Sequence, residues 1–328
     1  MNRGLYGGIL MKPGYKESEK EWIIELSRSD VYWYDLLVNS HENFDTKKII
    51  TDTLKSLKNS VESSLEKRFV YFIFSRKKVR FDTSKNITYC DKTGRFNLSL
   101  LVGREKEEIV VVGEFYDHQT KKALKLEVEL TEKFITITDD MGDKSSFPIH
   151  TFLQEFGIDI GLSSTVHYVG YTKNPHTRPT NGSHAGLSEV LYNVSNEDND
   201  ILISFNLFKV TVFADNKKNG MKLHIPNSMT NEIDADLEGF IIEKCFILYF
   251  DSNNQIKNKV KERKELKNNL VQLSSENNIN LITLYYELEV PSEYWKLGSS
   301  TIAPNSKHYF EVKLEFGMPK ISVPPPQY

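Results

Sequence analysis

Apolar residues along the chain follow two periods, and they divide it into helices and strands. In residues 46–67, Ile49, Ile50, Leu54, Leu57, Val61 and Leu65 recur every three or four positions with Lys, Asp and Glu between them. That spacing predicts one amphipathic helix. Residues 68–75 (RFVYFIFS) form an unbroken β-branched and aromatic run, which predicts a buried strand, and residues 109–116 predict another. Residues 123–130 (ALKLEVEL) alternate apolar and charged positions as a half-exposed strand does. The alternation resumes over 134–138, and Asp139-Asp140-Met141-Gly142-Asp143 reads as a turn. Together these segments predict an antiparallel sheet with helices on one side, ending near residue 147.

From Pro148 onward the pattern predicts a short helix over 148–156, a strand over 166–171, a helix over 183–194 and one long strand over 201–214. A helix with a strongly apolar face is expected over 234–250, followed by a charged helix over roughly 255–270. Two strands, 281–290 and 308–316, close the chain ahead of an extended tail at Pro324-Pro325-Pro326. The expected fold class is α+β, with a mixed α/β domain carrying an antiparallel sheet over 1–147. A second domain over 148–328 is expected to hold a small antiparallel sheet flanked by helices and a C-terminal β extension.

The length of 328 residues is enough for two domains, and 39% hydrophobic with 27% charged residues is an ordinary globular balance. A formal net charge of −3 excludes a small basic protein that coats nucleic acid over its whole surface, but it leaves room for a local basic groove. Only Cys90 and Cys245 are present, too few for a disulfide framework or a zinc cluster, which points to a reducing compartment. The first residues lack the apolar core of a signal peptide, and no apolar run is long enough to span a bilayer. A cytoplasmic protein with no membrane partner is the expectation.

Two segments carry candidate chemistry. Tyr168-Val169-Gly170 ends a strand and leads through Thr172 and Asn174 to Arg178, with His184 a few residues on. Downstream, Glu243 precedes Phe246-Ile247 on the apolar helix, and Glu238 lies one turn and a half earlier. These residues resemble the second half and the metal-binding helix of the GIY-YIG nuclease superfamily, over about 95 of the 328 residues.

The resemblance implies a GIY-YIG-like core in the second domain and a Mg²⁺- or Mn²⁺-dependent endonuclease that hydrolyses DNA phosphodiester bonds, in a restriction or phage-defence setting. It assigns Arg178 to clamp phosphate, Tyr168 and His184 to assist the attacking water, and Glu243 with Glu238 to hold metal, with Gln255 or Asn258 as a further polar ligand. The chemistry suits these residue types. Phosphodiester hydrolysis needs an activated water, a divalent ion and a cation beside the phosphate, and the planar guanidinium can bind two phosphate oxygens at once. Among Ile241, Ile242 and Phe246 an unpartnered carboxylate is costly, which singles out Glu243.

The family places a further Tyr about a dozen residues before its second triplet, and here Gly157-Ile158-Asp159 puts Asp159 there. Either His167, Tyr168 or Tyr171 takes over, or cleavage is lost. The alternative is therefore an inactive nucleic-acid-binding or scaffold subunit of a larger complex. Lys257, Lys259, Lys261, Arg263 and Lys264 form the most basic stretch. It reads either as a solvated helix face or as a ridge that tracks DNA phosphates. DNA is the expected partner, with a protein partner or a second copy of the chain besides.

Overall fold

The computed structural model describes residues 3–39, 45–64, 67–90, 92–116, 123–124, 126–178, 180, 185–251 and 256–324. A short 3-10 turn (Gly7–Met11) and α1 (Pro13–Lys16) precede β1 (Glu19–Trp33), α2 (Asp35–Val38), α3 (Thr46–Ser64) and β2 (Phe69–Lys77). Next come β3 (Val79–Phe81), β4 (Thr88–Tyr89), β5 (Arg95–Val102), β6 (Glu107–Glu114), β7 (Glu127–Leu130), β8 (Phe134–Thr138), β9 (Lys144–Pro148) and α4 (Ile149–Glu155). The chain continues through β10 (Ser164–Thr172), α5 (Ala185–Asn193), β11 (Asn199–Asn216), β12 (Met221–Pro226) and α6 (Asn227–Thr230). Two long helices, α7 (Ala235–Phe250) and α8 (Ile256–Asn277), lead to β13 (Ile279–Glu287), β14 (Leu297–Gly298), β15 (Lys307–Glu315) and β16 (Met318–Ser322).

Nine strands form the main sheet in the order β14-β10-β2-β11-β1-β13-β15-β16, with β12 paired to β11. Its pairings are antiparallel except β1 with β13 and β10 with β14. β3 to β6 make a four-stranded sheet, and β7, β8 and β9 a three-stranded one. The class is α+β.

The expected division at residue 147 does not follow the sheets. β2 lies between β10 and β11, hydrogen-bonded to both, and β1 pairs with β11 over most of its length. Strands from both sides of residue 147 thus share one hydrogen-bonded ladder. What stands apart in the topology is the segment from β3 to β9, which leaves the end of β2, builds the two smaller sheets and returns through α4 to β10.

α7 is buried along most of its length because its apolar residues are not confined to one stripe. Phe246 packs at 5.2 Å from Phe72 of β2, 5.6 Å from Tyr286 of β13 and 5.4 Å from Phe310 of β15, measured between ring centroids. Truncating such a ring to Ala costs about 3–5 kcal/mol. Asp234 caps the start of α7, accepting from the amides of Asp236 and Leu237 at 2.9 Å each. Among the described residues no helix is long and apolar enough to cross a membrane.

Candidate functional site

β10 is the strand that organises the site. β14 covers its outer edge only at Ser164 and Thr165, and among the described residues no strand pairs that edge beyond. Its inner edge follows β2, with one irregularity: Val166 faces Phe74 and Tyr168 faces Ile73, leaving His167 as an extra residue. This bulge changes which face Tyr168 occupies. In regular alternation Tyr168 would share the face of Val166 and Phe74, the side on which Phe72 meets α7. The extra residue moves it to the face of Tyr71 and Ile73. His167 is hydrogen-bonded through Nε2 to the Ser75 hydroxyl at 2.7 Å, and burial pulls its imidazole down to about 4, so it is neutral at physiological pH.

Tyr168 therefore meets Tyr71. The rings stack with centroids 6.1 Å apart and 21° between planes, and their hydroxyls share a hydrogen bond. Gly170, directly opposite Tyr71, makes this possible. A Cβ there would lie 2.4 Å from the Tyr71 Cζ and hydroxyl oxygen and 2.9 Å from the Tyr168 ring. On the far side of Tyr168, Gly186 of α5 is equally close, since a Cβ on it would fall 2.4 Å from the ring. Burial pushes both phenols up; Glu243 adds to the rise and Arg178 opposes it at each.

Glu243 approaches the same edge from α7. Its Oε1 accepts the Tyr171 amide of β10 at 3.0 Å, occupying a backbone donor on the uncovered edge. Burial pushes this carboxyl up to about 7; Glu262 adds to the rise, while Lys244, the Tyr171 amide and Arg178 oppose it. Arg178 comes from the turn that follows β10. The Thr172 hydroxyl accepts the Asn174 amide at 3.0 Å, and the Asn174 carbonyl accepts the amides of Thr177 and Arg178 at 3.1 and 3.0 Å. That single turn leaves Arg178 exposed, with its charge felt at Tyr71, Tyr168, Tyr171 and Glu243.

The structure thus sets Tyr168 on one face of β10, Glu243 reaching its edge from α7 on the other and Arg178 in the turn that follows, with their charges felt at one another, and it adds Tyr71, which the sequence did not single out. It does not bring Glu238 to them. Glu238 sits on another side of α7, buried, where it takes hydrogen bonds from Arg3 at 2.8 Å and Asn227 at 2.6 Å. Its carboxylate is occupied by these partners and cannot share an ion with Glu243. His184 and Gln255 lie outside the described residues, as do the side chains of Lys257 and Asn258. Asp159 is in a turn far from the Tyr pair in the sheet register, accepting from the Gly161 amide at 2.9 Å and paired with Lys296. Of the remaining lysines singled out on α8, Lys259 pairs with Asp251 at 2.6 Å and Lys261 lies 3.8 Å from Glu265. Arg263 and Lys264 are exposed.

Two properties of this constellation bear on its chemistry. Four clefts of 410 to 540 Å³ lie elsewhere on the molecule, and none of them is lined by these side chains. Among the described residues no group of three or more His, Cys, Asp or Glu side chains gathers to hold an ion. The one carboxylate of the constellation, Glu243, offers hard oxygen donors, and burial favours its protonated form. Family models, curated proteins and solved structures give no match to this chain.

Proposed function

We propose that the protein is a metal-dependent endonuclease of divergent GIY-YIG type, hydrolysing phosphodiester bonds of DNA. The observation that carries this reading is the Glu243 carboxylate held on the Tyr171 amide at the uncovered edge of β10, with the charge of Arg178 felt there and at the stacked Tyr71–Tyr168 phenols on the other face of the strand. Tyr71 supports it further. It offers a phenol from the strand beside Tyr168, the role for which the position of Asp159 offered none.

In this reading Arg178 binds the scissile phosphate through two of its oxygens and offsets the charge that builds on them. The Tyr71–Tyr168 pair, held protonated by burial, orients the attacking water by hydrogen bonding. Glu243 is the residue that would hold Mg²⁺ or Mn²⁺, a hard cation that one carboxylate can bind beside a substrate phosphate. Such an ion, when bound, supplies Lewis acidity and lowers the pKa of its water. The Tyr171 amide holds the Glu243 carboxylate toward the edge.

Supercoiled plasmid with Mg²⁺ or Mn²⁺ tests the reading, comparing wild type with Glu243→Gln and Arg178→Ala. Metal-dependent nicking by wild type and its loss in both variants is the expected result. Three proteins that behave alike would refute it.

A further inference from the structure

We propose that the outer edge of β6 takes up an extended, positively charged segment of a partner protein as an added strand. The site lies on the insertion from β3 to β9. None of the side chains assigned to phosphodiester hydrolysis lines it, so it stands whether or not the protein cuts DNA.

β6 pairs with β5 along one side, and among the described residues no strand pairs its other side. The register fixes which backbone groups are left over. The Phe115 amide donates to the Gly94 carbonyl at 2.8 Å, while the Arg95 and Ser99 carbonyls accept the amides of Cys90 and Asp82, at 2.9 Å each, on the far side of β5. Bonded and non-bonded pairs alternate along an antiparallel ladder. Ile109, Val111 and Gly113 therefore bond to β5, and the amide and carbonyl of Val110, Val112 and Glu114 point away from it. Such an unpaired row is a template for another strand. The usual protections are missing here: residues 107–114 contain no Pro and no Lys, and their register has no bulge. Val110 and Val112 are 56% and 60% exposed.

A cleft of 410 Å³ follows that edge. It is lined by residues from both faces of β6, Val111 and Gly113 on one and Val110 and Val112 on the other, but only by Phe96 from β5. A space bordered by both faces of a strand and hardly by its paired neighbour runs beside the strand, not over the sheet. The far wall is the segment 156–160. It is fixed to the end of α4 by the Gly157 amide on the Gln154 carbonyl at 3.1 Å and the Ile158 amide on the Leu153 carbonyl at 2.8 Å. Phe156 gives this wall an apolar rim, packed 4.7 Å from Phe152 and 5.4 Å from Phe115 between centroids yet 40% exposed. An added strand would sit about 4.8 Å from β6, where its backbone meets the groups that Val110, Val112 and Glu114 turn outward.

Charge selects the occupant. The charged residues that line the cleft are both acids, Glu114 and Asp159. Glu107 and Glu108 stand at the other end of β6. Glu108, Glu114 and Asp159 each have one cation, Lys85, Arg95 and Lys296, in exposed pairs. Pairs of that kind are worth little and yield to a competing cation. β6 itself carries three carboxylates and no cation, so a second copy laid against it would bring like charges into one ladder. A segment that alternates apolar residues and ends in Lys or Arg is the better complement.

Fluorescence anisotropy of a labelled peptide, Lys-Val-Thr-Val-Thr-Val-Lys, with the full chain tests the assignment. Beside it stand the same peptide with Glu at both ends and two versions N-methylated on the two alternate sets of amides. The protein variant is Val112→Pro, which deletes one outward amide and leaves the bonds between β5 and β6 in place; thermal melting and far-UV circular dichroism establish that it is folded. The Lys peptide should bind, and Val112→Pro should weaken it about tenfold, as the loss of one hydrogen bond does. The Glu peptide should bind about tenfold less tightly than the Lys peptide. One methylated set should abolish binding and the other should not, because a strand turns alternate amides to its partner. That pair of peptides decides the matter even where Val112→Pro does not fold. A Lys peptide that does not bind, Lys and Glu peptides that bind alike, methylated sets that act alike, or folded Val112→Pro that binds as wild type overturns the inference. A dimer in sedimentation velocity that Val112→Pro dissociates gives the edge to a second copy and overturns it too.

Discussion

The Tyr71 side chain passes over Gly170 to reach Tyr168, filling the volume that any larger residue at position 170 would need. Gly170→Ala puts a methyl group 2.4 Å from the phenol carbon that bears the Tyr71 hydroxyl. The ring is fully buried and cannot swing away freely. Overpacking of this kind costs about 1–3 kcal/mol. Urea denaturation should show that loss, and plasmid nicking should fall with it because the phenol pair is displaced. Unaltered denaturation and nicking would mean that the pair is not fixed by this contact.

The Glu243 carboxyl gives the site a defined response to pH. Its ordinary value is 4.5, and burial raises it to about 7 in the fold. A raised carboxyl favours the protonated folded state, so ionisation opposes folding. The penalty is absent below about 4.5, grows as pH rises to 7 and is complete above it. Glu243→Gln lacks the penalty. Its stability relative to wild type should therefore rise between pH 5 and pH 8, by up to about 3 kcal/mol. Chemical denaturation of both proteins across that range checks it, and a constant difference would contradict the assignment. Because metal must displace the proton, added Mg²⁺ should shift the acidic limb of activity to lower pH.

Much of the fold was legible in the spacing of apolar residues, and the exceptions have physical causes. α7 and β11 stand out as long apolar runs, α7 on most of its sides and β11 on both faces from Asp200 to Phe208 before it alternates. β1 does not. It alternates from Lys20 through Trp22 and Ile24 to Leu26, then Ser27 is extruded as a bulge and Arg28 resumes pairing on the shifted register. That slip hides a central strand of 15 residues and, with it, the fact that both ends of the chain feed one sheet. Tyr71 was hidden differently. Its strand was evident, but its pairing with β10 spans an insertion that builds two further sheets, and nothing in local spacing encodes a contact of that range. The resemblance pointed to Tyr168, Arg178 and Glu243 because it concerns positions within one segment. It kept Glu238 as a second metal ligand behind Glu243, since the partner that occupies Glu238 lies 235 positions away.

That second carboxylate makes a control for the first. Glu238 and Arg3 form a pair with side chains 7% and 8% exposed, completed by Asn227. Removing Glu238 takes the carboxylate from the Arg3 guanidinium, at a cost of about 3–5 kcal/mol. Glu238→Ala should lower the melting temperature markedly, whereas activity per folded molecule, measured at low temperature, should stay near wild type. Loss of metal-dependent cleavage by fully folded Glu238→Ala would instead make it part of the site.

Arg178 should behave in the opposite way. It is exposed, at the end of a turn whose hydrogen bonds are made by backbone atoms and by Thr172, so among the described residues its side chain holds nothing in place. Surface substitutions of this kind change stability by roughly 0.5 kcal/mol or less. Its nearest electrostatic relations are the two phenols and Glu243, all of which it makes more acidic. If its task is to bind two phosphate oxygens as charge develops on them, Lys keeps the charge but not the planar pair of donors. Arg178→Lys should then lose about 10²-fold or more in the rate of nicking at saturating DNA, on the order of an oxyanion-stabilising donor. Binding of duplex in Ca²⁺ should weaken much less, and the melting temperature should not move. A variant whose defect lies wholly in binding would place Arg178 among the groups that hold the DNA and remove it from the reacting phosphate.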